Sequence, residues 1–132
     1  MERTILVFKS VFSAIGGFIA YWLGGLDQML LALIALIVLD YLTGLLKAIH
    51  NRALSSEIGF RGIAKKVMTL LIVALAFIIE NVTGQSFPLR EIVIMFFIVN
   101  EGISILENAA QTGLPVPEKL KEFLIQIGGK KQ

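Results

Sequence analysis

The sequence predicts an all-α integral membrane protein with about four transmembrane helices and a C-terminal amphipathic helix. Three observations predict it. Of 132 residues, 56% are hydrophobic and 17% charged, and the mean hydropathy is +0.81. At one-domain length, that leaves too few polar side chains to cover a soluble surface. The chain also holds four apolar runs, against the about 20 residues that a spanning helix needs. Finally, its last segment places apolar residues on one helical face. There is no Cys, so thiolate chemistry is excluded.

The first run is Ile5 to Leu26, interrupted only by Lys9. Arg3 ahead of it resembles the start of a signal peptide. WLGGLD follows where an A-x-A-like cleavage site would stand, so a retained helix is expected. Gly16, Ala20 and Gly24 fall at the small-xxx-small spacing that permits close helix packing, with Ser13 and Gly17 on the same face. Tyr21 and Trp22 suit an interfacial aromatic belt.

The second run, Met29 to Ile49, holds Asp40 and Lys47; Asp27 precedes it as a cap. The third, Val67 to Ile79, is closed by Glu80, and Leu54-Ser55-Ser56-Glu57 opens the segment leading to it. The fourth, Ile92 to Leu106, contains Asn100 and Glu101 and follows Pro88, a residue suited to a first helical turn. Runs three and four reach spanning length only if Lys65-Lys66 and Glu107-Asn108 sit at the interfaces. Beyond Gly113, Pro115 and Pro117, residues Leu120, Phe123, Leu124 and Ile127 share a face. That helix fits either the membrane surface or docking on a partner. The expected division is a transmembrane domain over 1–112, with spans near 5–26, 28–49, 65–83 and 88–111, and a cytoplasmic tail helix over 113–132. The Asn81-Val82-Thr83 sequon is too short a pattern to carry weight.

Charge suggests the orientation. Between Lys47 and Lys66 lie five basic residues (Lys47, Arg52, Arg61, Lys65, Lys66) against Glu57 alone, a net +4. The positive-inside rule places this basic loop in the cytoplasm and, with four spans, both termini there too. Arg3, Lys9, Lys130 and Lys131 agree.

Two acids fall deep in apolar runs. A central Asp opposes insertion by about 2.5–3.5 kcal/mol, while each Leu, Ile, Val or Phe favours it by about 0.3–0.6. Eight Leu, three Ile and one Val in the second run supply roughly −5 kcal/mol, enough to carry Asp40. Ten comparable residues in the fourth supply roughly −4 to −5 kcal/mol against Asn100, Glu101, Gly102 and Ser104, which leaves that helix dependent on neighbours. At about 1.5 Å per residue both acids sit near the midplane. Asp40, Thr43, Gly44 and Lys47 share one face. Glu101, Ser104 and Asn108 share another, widened by Asn100, Glu107 and Gln111. Such groups avoid lipid. They either pair with Lys or hydrogen-bond across helices, or they line a water path or an oligomer contact. His50, without a second His, reads as a surface residue. No catalytic constellation, cofactor motif or metal-ligand cluster appears, and nothing beyond the basic loop points to nucleic acid. An integral lipid kinase is the enzyme alternative, but no phosphate-cradling loop in this sequence supports it.

LDYLTGLLKA at 39–48, LSSEIGFRGIAKK at 54–66 and, above all, FFIVNEGISILENAAQTGLPVPEKLKEFL at 96–124 resemble the toxin secretion/phage lysis holin family. Asp40, Gly62, Lys65, Lys66, Glu101, Ser104, Glu107, Asn108, Pro115 and Pro117 fall on its motif positions. The resemblance implies a small, non-enzymatic helical protein of the bacterial inner membrane. It would form homo-oligomers in the bilayer and open timed lesions that release a murein hydrolase or a toxin. The rival expectation is a small transporter or selective ion channel using a membrane-embedded carboxylate; a structural membrane adaptor stands third.

Overall fold

The computed structural model describes residues 1–84 and 86–128. Lys130 and Lys131, used above for orientation, lie outside them. Five helices follow in chain order: α1 (Glu2–Trp22), α2 (Gln28–His50), α3 (Ser56–Thr83), α4 (Leu89–Gln111) and α5 (Glu118–Ile127). The described residues form no strand.

Local chemistry sets the boundaries. α1 stops at Trp22, four residues short of the end of its apolar run, because Gly24 and Gly25 both take left-handed φ values of +89° and +97°. Asp27 then caps α2, its carboxylate accepting from the Leu30 amide at 2.9 Å. Ser55 caps α3 in the same way, accepting from Ile58 N at 3.2 Å. With that cap in place the helix runs unbroken through residues 56–64, which the sequence reading left outside the third span. Gly59 and Gly62 do not break it, because Tyr41 of α2 packs there. The Tyr41 hydroxyl donates to Gly59 O at 3.4 Å, and a Cβ at Gly62 would lie 3.1 Å from the ring. α3 ends on Gly84 in the left-handed region.

α1, α2 and α3 are each long and apolar enough to cross a membrane. α4, the helix whose insertion arithmetic was marginal, is not among them. It is nevertheless the centre of the bundle, packing on α2, α3 and α5. α2 and α4 run the same way, since Arg90 meets Asp27 at one end and Asn108 meets Thr43 towards the other. α3 runs against both. The apolar core is Leu30, Leu33 and Ile37 of α2, Val73 of α3, Ile94 of α4 and Leu23 from the α1–α2 turn. α1 stands apart: it buries no residue and touches only α3 among the helices.

α5 folds back along α4. A Cβ at Gly102 would meet the Leu124 side chain at 3.1 Å, and one at Gly128 would meet Val99 at 2.9 Å. The amphipathic segment thus packs against a helix of its own chain. Leu120 and Phe123 of its apolar face remain exposed.

Candidate functional site

The buried stripe of α2 runs Leu30, Leu33, Ile37, Asp40, a core spacing of three and four residues. That of α4 includes Ile94, Glu101 and Asn108, seven apart. On α3, Lys66 comes three residues before Thr69, which precedes Val73 and Ala76. The polar residues therefore continue the apolar core in register. Three helices bring them to one level: Asp40 is ten residues from His50, Lys66 ten from Ser56, and Glu101 ten from Gln111. Each lies about 15 Å along its helix from the same end of the bundle.

There Lys66 Nζ bridges both acids. It pairs with Asp40 Oδ2 and donates to Glu101 Oε2 at 2.6 Å. The Asp40 and Glu101 side chains are 10% and 7% exposed, and that of Lys66 19%. Asn108 Nδ2 completes the cluster, donating to Asp40 Oδ1 at 2.9 Å and to Thr43 Oγ1 at 3.0 Å. The Thr43 hydroxyl donates to Asp40 O at 3.1 Å. Among the described residues, every fully buried side-chain N or O has a partner, as expected of polar groups packed away from water. The acids thus pair with a lysine inside one chain. Lys66, counted above with the basic loop, is the residue that joins them.

The remaining sequence candidates are spread more widely. Lys47, Lys65, Ser104 and Glu107 line a cleft of about 600 Å³ that leads from the end of the bundle down to Asp40 and Lys66. Asn100 faces the other way, lining a hollow with Ile127 of α5 and Gly128 just beyond it. Arg61 pairs with Glu57 on the open surface, and Arg52 sits in the turn after α2 with φ +53°. On α1, Gly16 has no heavy atom within 4 Å of where a Cβ would be, and Ala20 is half-buried. Gly24 lies beyond the helix, so it does not extend that small-residue face. A Cβ there would strike the Arg90 side chain and fall 2.8 Å from the Phe77 ring. Among the described residues no group of three His, Cys, Asp or Glu is placed to hold a metal ion.

Arg90 is the residue that sequence reasoning missed. Its side chain is 3% exposed. Nε donates to Leu23 O at 2.6 Å, Nη2 to Gly25 O at 2.9 Å, and Nη1 to Asp27 Oδ2 at 2.7 Å. It ties the first turn of α4 to the α1–α2 turn. The only sequence signal was an Arg just ahead of the fourth apolar run. The guanidinium, aided by the Leu30 amide and opposed by partial burial, holds the Asp27 carboxyl below its ordinary value. A depressed carboxyl contributes stability above its unfolded value and loses it as pH falls through the folded one. In neutral detergent, acid should therefore lower the melting temperature of the unaltered protein over that window, and Asp27→Asn should flatten the dependence. Arg90→Ala should cost about 1.5–3 kcal/mol, the scale of hydrogen bonds to a charged group. An unchanged thermal midpoint for Arg90→Ala would remove the clamp from the stability argument.

Fold and site together define a small helical membrane protein with an ion-paired polar seam buried between its helices. The chain matches the bacteriophage holin family over residues 17–129 and belongs to it. It is 39% identical over 132 residues, 99% of this chain and 100% of the relative, to an uncharacterized 14.9 kDa protein of the nagH 3′ region in Clostridium perfringens. It is 41% identical over 115 residues, 87% of this chain and 82% of the relative, to an uncharacterized protein of Listeria monocytogenes. A Bacillus subtilis relative, YqxH, is 34% identical over 112 residues, 85% of this chain and 79% of its own. No solved structure gives a significant match.

Proposed function

We propose that this protein is a holin: a non-enzymatic membrane protein that accumulates in the bacterial inner membrane, associates with its own copies, and opens lesions that release a murein hydrolase or a toxin. The observation that carries this reading, beside family membership, is the seam of Asp40, Lys66, Glu101 and Asn108. Its groups satisfy one another inside an apolar bundle, so the chain can reside in the bilayer closed. The same groups, turned towards water between subunits, would line a lesion with Thr43, Lys47, Ser104 and Glu107. The marginal hydropathy of α4 fits a fourth span held in place by protein contacts. The small-residue face of α1 at Gly16 and Gly17, where nothing packs, suits contact with another copy. The basic residues Arg52, Arg61 and Lys65, without the seam's Lys66, support a cytoplasmic location for that end of the bundle and for both termini.

Inducible expression in bacteria, with and without a cytoplasmic murein hydrolase, tests this. Expression alone should halt growth and depolarise the membrane after a delay, with abrupt lysis only when the hydrolase is present. Prolonged overexpression with the potential intact would defeat the reading. The cleft that reaches buried carboxylates favours a second reading, a small transporter or selective channel. Its mark would be solute flux through a membrane that stays tight to other ions.

A further inference from the structure

Where α2 and α4 finish and α3 begins, the cleft of about 600 Å³ falls within the size range of small-molecule sites. Its floor, Asp40 and Lys66, is internally satisfied. Its rim is not. Lys47, Arg61 and Lys65 stand there against Glu107. Arg61 holds Glu57 at 2.8 Å, but both side chains are more than 70% exposed, so water competes for that pair and leaves the guanidinium available. Among the described residues Lys47 and Lys65 form no salt bridge. Lys47 is half-buried, and an ammonium drawn partly out of water favours an anionic partner. Deeper along α2 than Lys47 the wall carries apolar Leu45 and Tyr41, beside polar Ser104 and Asn108 of α4.

Cations at a mouth with apolar walls behind them match an amphiphile carrying phosphate. Basic pockets between membrane helices hold anionic headgroups on the same principle. We infer that this cleft binds the phosphate of an anionic phospholipid. Lys47 and Lys65 contact the phosphate, Arg61 closes over it, and the first methylenes of the acyl chains lie on Leu45 and Tyr41. Lys47 is three residues from the end of α2, about 5 Å of helix, a depth that suits a headgroup. Free inorganic phosphate shares the charge but has no use for the apolar walls. This inference does not depend on lesion formation.

The full-length protein, purified in neutral detergent, is titrated with phosphatidylglycerol, phosphatidylcholine or inorganic phosphate. Thermal unfolding and native mass spectrometry are followed. Phosphatidylglycerol should stabilise and remain bound at a concentration about tenfold below phosphatidylcholine, as expected for a basic pocket, and phosphate should do neither. Lys47→Gln with Lys65→Gln should erase the preference; Arg3→Gln with Lys119→Gln should keep it. Lys65→Gln alone, at an exposed position, should weaken the preference without touching the fold. Equal response to the two lipids, or a preference that survives the Lys47→Gln, Lys65→Gln pair, would overturn the site. A response to inorganic phosphate equal to that of phosphatidylglycerol would overturn the lipid as its ligand.

Discussion

Lys66→Met should be the most damaging single substitution in the bundle. It leaves two carboxylates, 10% and 7% exposed, without their common cation. Removing one partner of a buried ion pair costs about 3–5 kcal/mol, because the remaining charge is uncompensated. The variant should reach the membrane in small amounts and unfold early in neutral detergent. The loss belongs to the orphaned acids rather than to the missing lysine, so adding Asp40→Asn and Glu101→Gln should restore most of it. Buried ion clusters replaced as a whole by well-packed apolar residues of similar volume are often neutral or stabilising, so removing the charges together costs less than removing the cation alone. A Lys66→Met protein with unaltered stability, or a triple variant no better than the single one, would break the argument.

The second large effect separates scaffold from lesion. Glu101→Leu removes a carboxylate that opposes insertion by about 2.5–3.5 kcal/mol and adds a residue favouring it by about 0.3–0.6. Lys66 keeps Asp40, so no charge is stranded, and the protein should accumulate in the membrane. We expect it to be lysis-defective. Glu101→Gln keeps hydrogen bonding and loses the charge, and should retain partial activity with shifted timing. Asp40→Leu should behave like Glu101→Leu, although it also deprives Asn108 of its 2.9 Å acceptor. Lysis at the normal time by both Leu variants, at matched membrane levels, would make these acids purely structural.

The helices were legible in the sequence because each carries its own punctuation: Asp27, Ser55 and Gly84 do locally what their types do anywhere. The two polar faces were legible from periodicity alone, since Asp40 and Glu101 lie in step with the apolar stripes above them. What periodicity could not supply is the third member. Lys66 borders an apolar run, where a lysine commonly snorkels to the interface. Only the packing of α3 against α2 and α4 aims it inward. Arg90 was hidden for a related reason: its three partners are 63 to 67 residues away in sequence, and two of them are backbone carbonyls that have no residue signature. The direction of α5 rests on Gly102, whose missing side chain makes room for Leu124; a glycine inside a helix does not announce what will occupy its space.

α1 is a mast stepped at one end. Arg90 grips the carbonyls of Leu23 and Gly25 just beyond it, whereas no residue from Glu2 to Trp22 is buried. Its 21 residues extend about 31 Å. A tilt of only about 10° at the Trp22–Leu23 joint, ahead of the buried Leu23, would therefore sweep the far tip through about 5 Å. Among the helices only the contact with α3 would have to give. Such a tilt would swing the N-terminus through the surroundings like a boom while the ion-paired seam stays shut.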